Sequence, residues 1–156
     1  VESSQGGIMK RRISVEQLQE LTYGQKQKLN EWWKPQIGDV FLTPDNTTAA
    51  IGDYCFYTMH CTELVQFYGN DQNTETLVKV KYCIPLLDIG QMIELLESKD
   101  HFFSISKEIA CDDLGCLNWG WLIEINTKES PHQIEYMEFS TDGLADCLWK
   151  AVKTIL

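Results

Sequence analysis

Apolar positions recur along this chain with two different periods, and the switches between them divide it into elements. Ile13 precedes Ser14, and Leu18 and Leu21 follow at spacings that share one helical face. Ser14 and Gln17 stand at capping-box spacing, so a short helix starts there. Thr22 and Gln25 repeat that spacing and start a second helix running through Trp33, with Gly24 weakening its first turn. Pro35 stops it, because proline has no amide hydrogen and restricts Lys34. Residues 38–43 then read as a strand that meets a turn at Pro44-Asp45-Asn46.

The middle of the chain changes period. Residues 54–68 mix aromatic and β-branched side chains without a helical repeat and predict two strands, with a helical turn over 61–67 as the alternative. Residues 69–73 are a polar loop. Val78, Val80, Tyr82 and Ile84 alternate with polar residues, predicting one half-buried strand over 77–84 that Pro85 ends. Asp88 and Gln91 then cap a helix whose Ile89, Met92, Ile93 and Leu96 share one face. Strands are predicted over 101–106, 121–126 and 134–139, the first two separated by an acidic, cysteine-bearing loop. The clearest stripe is the last: Leu144, Leu148, Val152 and Ile155, widened by Cys147 and Ala151, predict an amphipathic helix started by Thr141 or Asp142.

Capped amphipathic helices among several strands predict an α+β fold, an antiparallel sheet packed with short helices as a two-layer or αβα sandwich. At 156 residues the chain fits one domain. Residues 13–156 are read as that single compact α+β domain, after a flexible N-terminal segment or expression scar over 1–12. Apolar residues at 44% and charged ones at 23% exclude the disordered class. No run approaches the roughly 20 apolar residues of a spanning helix, so no membrane association is expected. The net charge of −10 repels nucleic-acid backbones and favours basic protein partners. The basic cluster Lys10, Arg11 and Arg12 is too short to reverse that balance.

Candidate chemistry adds little. Six scattered cysteines and no secretory segment predict free thiols in a reducing cytosol. Cys55, His60 and Cys61, or Cys111, Asp112 and Cys116, offer soft ligands for zinc, but neither set has a close CxxC pair. Nothing fixes His60, His101 or His132 beside a thiol, as a nucleophilic site requires. Asp112 and Asp113 lack the spacing of a calcium loop, and Gly115, Gly120 and Gly143 form no phosphate-binding fingerprint. No catalytic, metal or cofactor residue is therefore assigned, and no cofactor is expected. Gly120, between Trp119 and Trp121, reads as a bend or a close approach.

Tryptophan joins a large apolar body to one donor, which suits an interface anchor. Trp32 and Trp33 are adjacent and cannot share one helical direction, and Trp149 flanks the closing stripe. With the acidic pair Asp112 and Asp113 they are the partner-binding candidates.

Three stretches carry a resemblance: residues 13–41, 83–98 and 145–156. Together they resemble small proteins of phages and prophages of Gram-positive bacteria, clostridial and bacillus-like ones especially. The shared features are Glu31-Trp32-Trp33-Lys34-Pro35 followed by Gly38-Asp39, and the helix Ile89-Gly90-Gln91-Met92-Ile93. The resemblance implies a phage accessory protein in the host cytoplasm that binds and inhibits a host protein, as an anti-CRISPR-like inhibitor does. A basic nuclease or defence effector is the partner expected. The alternatives are a small-ligand-binding or sequestering protein and an enzyme whose site follows no motif.

Overall fold

The computed structural model describes residues 10–59, 62–68, 75–99, 101–111, 113–115, 117–127 and 134–156, with their side chains apart from 52–68, 75–77, 101–102, 127 and 134–135. The chain is α+β, built of antiparallel sheets and amphipathic helices, and it divides into two compact units. One is Ser14–Leu86; the other is Leu87–Leu156 with the N-terminal residues through Ile13.

In the unit Ser14–Leu86, α1 (Val15–Gln19) and α2 (Tyr23–Trp32) begin at the two predicted capping boxes. The Ser14 hydroxyl accepts from the Gln17 amide at 3.2 Å, and the Gln17 side chain accepts from the Ser14 amide at 3.0 Å. Thr22 and Gln25 repeat the exchange at 3.2 and 2.9 Å. Five strands follow: β1 (Val40–Leu42), β2 (Thr48–Met59), β3 (Thr62–Tyr68), β4 (Glu75–Lys79) and β5 (Ile84–Pro85). They form one antiparallel sheet in the order β4-β3-β2-β1-β5. The helical alternative over 61–67 is not what forms, since β3 occupies that stretch in register with β2.

The single strand predicted over 77–84 is two strands joined by a 3-10 turn at Val80–Tyr82. The alternation misleads because Val80 and Cys83 both turn into a core of Trp33, Phe41, Ala49 and Ile51. The Asn30 side-chain amide fixes the turn from α2, donating to the carbonyls of Val80 at 2.9 Å and Cys83 at 2.5 Å. Pro85 does not end the ladder but lies within β5, opposite Phe41, where an edge strand tolerates its missing donor.

In the second unit, α3 (Ile89–Ser98) starts at Asp88, whose carboxylate accepts from the Gln91 amide at 2.7 Å. Three strands, β6 (His101–Cys111), β7 (Leu117–Thr127) and β8 (Ile134–Ser140), pair antiparallel in that order, and α4 (Leu144–Ile155) closes the chain. α3 and α4 pack on each other and onto these strands as a two-layer arrangement. Residues 10–13 join this unit. The Ile13 amide donates to the Leu87 carbonyl at 3.0 Å, the backbones of Arg12 and Asp88 form an isolated antiparallel β-bridge, and the Lys10 ammonium meets the Asp146 carboxylate at 2.8 Å.

Two readings of this unit change. α4 begins at Gly143, at φ 125°, rather than at Thr141 or Asp142, because the chain turns the corner from β8 in a backbone conformation that favours glycine. The hairpin of β6 and β7 is also longer than predicted. Residues 107–111 pair with 117–121, so the strands extend almost to the connection.

Candidate functional site: an apolar hairpin face and a tyrosine-lysine groove

The tryptophans expected to face a partner lie elsewhere. Trp149 is 1% exposed and Trp33 4%, so neither ring is available as an anchor. For Trp33 the reason is that α2 ends one residue earlier. Its backbone is extended (φ −67°, ψ 126°), which turns the ring inward, where its indole nitrogen donates to Asp39 at 2.9 Å. Trp32 is half-buried against the same core. For Trp149, the buried arc of α4 includes Ala145, Leu148, Trp149 and Val152, a run at helical spacing that takes in the residue read as a flank. Asp113 is exposed beside the β6–β7 connection, while Asp112 lies outside the described residues, as do His60, Cys61, Cys116 and His132.

The exposed tryptophan is Trp119, on β7. Side chains alternate along a strand, and residues directly opposite each other in an antiparallel pair share a face. Ile123 and Ile125 are buried, and the Cys147 thiol of α4 donates to the Trp121 carbonyl at 3.4 Å, so α4 covers their face of the sheet. Leu117, Trp119 and Trp121 continue that same face, opposite Cys111, Ile109 and Lys107. The Lys107 ammonium stands 5.9 Å from the centre of the half-buried Trp121 ring and marks where the cover ends. Beyond it Trp119 is 61% exposed and Leu117 67%, with Ile109 and Cys111 exposed beside them and Leu114 exposed at the connection.

Lengths explain the overhang. A helix of α4's 12 residues spans about 18 Å, while a strand of β7's 11 residues spans about 36 Å. An apolar face is therefore built longer than the layer that covers it. On the opposite face β8 approaches closely at Gly120. A β-carbon placed there would lie 2.5 Å from the Phe139 ring and 2.7 Å from the Ser140 carbonyl oxygen, so the ring occupies the space that the missing side chain leaves.

A second feature belongs to the unit Ser14–Leu86. α2 and the 3-10 turn border a groove of about 500 Å³. Tyr23, 77% exposed, and Tyr82, 54% exposed, stand along it with Lys26 and Lys81. The Lys81 ammonium lies 4.9 Å from the Tyr82 ring centre, and the Gln27 amide donates to the Tyr23 hydroxyl at 3.2 Å.

The chain matches no family model, no curated protein and no solved structure.

The site is therefore read from its own chemistry. Among the described residues no three His, Cys, Asp or Glu side chains gather as a metal would require, and no described helix is long and apolar enough to cross a membrane. Cys83, Cys111 and Cys147 are free thiols. Burial pushes the Cys83 thiol up to about 12, and burial with the Glu138 charge pushes Cys147 up to about 11. Both are held as thiols, whereas attack needs the thiolate.

An unfolded chain releases the two protons near the ordinary value of 9.0, while the folded chain keeps them. Their contribution to stability is thus complete below about pH 9 and is lost as pH rises toward the folded values. The urea midpoint is expected to be lower at pH 10 than at pH 8. At pH 8 iodoacetamide is expected to modify exposed Cys111 in the native protein, and Cys83 and Cys147 only after unfolding, as peptide mapping would show.

Sequence reasoning missed Trp119, Leu117, Ile109 and the tyrosine-lysine pairs. For the hairpin a signal existed: Leu117, Trp119, Trp121, Ile123 and Ile125 are apolar at every second position.

Proposed function

We propose that this chain is a non-enzymatic binding protein that grips a partner protein through the exposed end of the β6–β7 hairpin, with Trp119 as the anchor. The observation that carries this reading is the apolar face that runs out from under α4. Contiguous exposed apolar surface is characteristic of interaction sites, and tryptophan is among the residues that dominate binding energy at them.

The overall charge selects the kind of partner. Asp113 is exposed at the connection and the chain carries a net charge of −10, while Lys107 is on the apolar face and Glu108, opposite Gly120, is on the other. A second copy would bring like charges against each other, whereas a basic partner gains from them. With the resemblance of residues 13–41, 83–98 and 145–156 to phage and prophage proteins, this supports a phage accessory role. The partner would be a basic host protein, such as a nuclease or defence effector, bound and inhibited in an anti-CRISPR-like manner.

The test is capture of a partner from a Gram-positive host lysate, followed by titration of that purified partner against wild-type protein and Trp119→Ala. A loss of about 2 kcal/mol, roughly thirtyfold in Kd, is expected. Because Trp119 is exposed, its removal is expected to leave the melting temperature nearly unchanged. Unchanged affinity in Trp119→Ala and Leu117→Ala together would remove the hairpin from the interface.

A further inference from the structure

We infer that the groove between α2 and the 3-10 turn is a second binding site, and that it takes a short acidic peptide segment with an apolar side chain among its carboxylates. The groove lies in the unit Ser14–Leu86, on residues separate from the hairpin of the other unit, and stands or falls independently of it.

Its volume of about 500 Å³ is that of a site for a ligand of several side chains. The floor is already satisfied. Asn30 spends its amide hydrogens on the carbonyls of Val80 and Cys83, and the Cys83 thiol faces the Lys79 carbonyl at 3.5 Å. A ligand therefore meets little backbone polarity below and binds through the walls. Among the described residues those walls offer two phenol rings and two ammonium groups, Tyr23 with Tyr82 and Lys26 with Lys81, against the carboxylate of Glu31.

Each ring has a side-chain contact of its own: the Lys81 ammonium lies over the Tyr82 ring, and the Gln27 amide donates to the Tyr23 hydroxyl. Aromatic walls accept an apolar side chain, and ammonium groups at the rim accept carboxylates. This cationic spot is local, set in a chain of net charge −10.

That contrast selects a peptide over a nucleic acid. At physiological salt charges act over about 8 Å, so a short segment with a few carboxylates is governed by Lys26 and Lys81. A polynucleotide extends its phosphates well beyond the groove and meets the acidic remainder of the protein.

The experiment uses the full chain. A random peptide library displayed on phage is selected against the wild-type protein, and an enriched sequence is synthesised with a fluorophore for anisotropy titration. Enriched peptides are expected to be net acidic with at least one apolar residue. Their affinity is expected to fall about tenfold or more in Lys26→Glu/Lys81→Glu and in Tyr82→Ala. The milder Lys26→Gln/Lys81→Gln is expected to weaken binding less, and Lys34→Glu and Trp119→Ala to leave it intact. Enrichment of basic or neutral peptides, or affinity unchanged by the lysine reversals, would overturn the assignment. So would tighter binding of oligothymidylate than of the peptide, or displacement of the peptide by succinate at matching concentrations.

Discussion

Leu148→Ala is expected to be strongly destabilising, costing about 3–4 kcal/mol. Leu148 is fully buried on α4, between Ala145, Trp149 and Val152 on one side and Cys147 and Ala151 on the other, all of them buried. Removing its side chain loses the transfer energy of the deleted methyl groups and leaves a cavity that a helix held by neighbours on both sides cannot close. At roughly 2–4 °C per kcal/mol for a chain of this size, the melting temperature would fall by about 6–16 °C. Ile155→Ala provides the comparison. The sequence stripe treats Ile155 as equivalent to Leu148, but Ile155 is only half-buried and is expected to cost well under half as much. Equal losses in the two variants, by urea denaturation followed by circular dichroism, would contradict this arrangement of the helix.

The second large effect is expected at a residue with no side chain. Gly120→Ala places a β-carbon 2.5 and 2.8 Å from two atoms of the Phe139 ring and 2.7 Å from the Ser140 carbonyl oxygen, distances that real β-carbons do not tolerate. The ring can rotate away, but a carbonyl in the ladder between β7 and β8 can yield only if the strands shift. Overpacking of this kind costs about 2–3 kcal/mol. Adding Phe139→Ala to Gly120→Ala separates the two contacts. If the ring were the whole obstacle, the double variant would be no less stable than Phe139→Ala alone. The carbonyl contact predicts that it remains below that single variant, a non-additive but incomplete rescue.

These two residues show what was legible in the sequence. The helix starts at Ser14, Thr22 and Asp88 could be read directly, because a capping box is a local exchange of hydrogen bonds that needs nothing from the rest of the fold. The closing helix was legible as a helix, but its buried arc was not, since Trp149 gains its burial from α3 and the strands packed around α4. Val80 and Tyr82 alternate like strand residues, yet the Asn30 side chain, 50 residues from Val80 in sequence, fixes a 3-10 turn there. Alternation cannot report a hydrogen bond of that range.

Gly120 was read as a bend or a close approach, and the second is what forms: it sits within β7 beneath Phe139. That is why the hairpin was read too short and Trp119 was passed over in favour of Trp32, Trp33 and Trp149. Burial made the difference. Trp33 leaves the helix and turns inward, whereas Trp119 lies on a strand that outruns its cover. The groove was less visible still, because Tyr23 and Lys26 meet Lys81 and Tyr82 only through the fold.

The central claim, that Trp119 anchors a partner protein, is tested most directly by placing a photo-crosslinking phenylalanine analogue at Ile109, exposed opposite Trp119, in the full chain with Trp119 retained, expressed in a Gram-positive host. An exposed position on α3, Glu97, serves as the control. The account predicts a single dominant adduct at 109 with a basic host protein, absent at 97, weakened by salt and lost with Trp119→Ala. No adduct at 109 beyond that formed at 97 would contradict it.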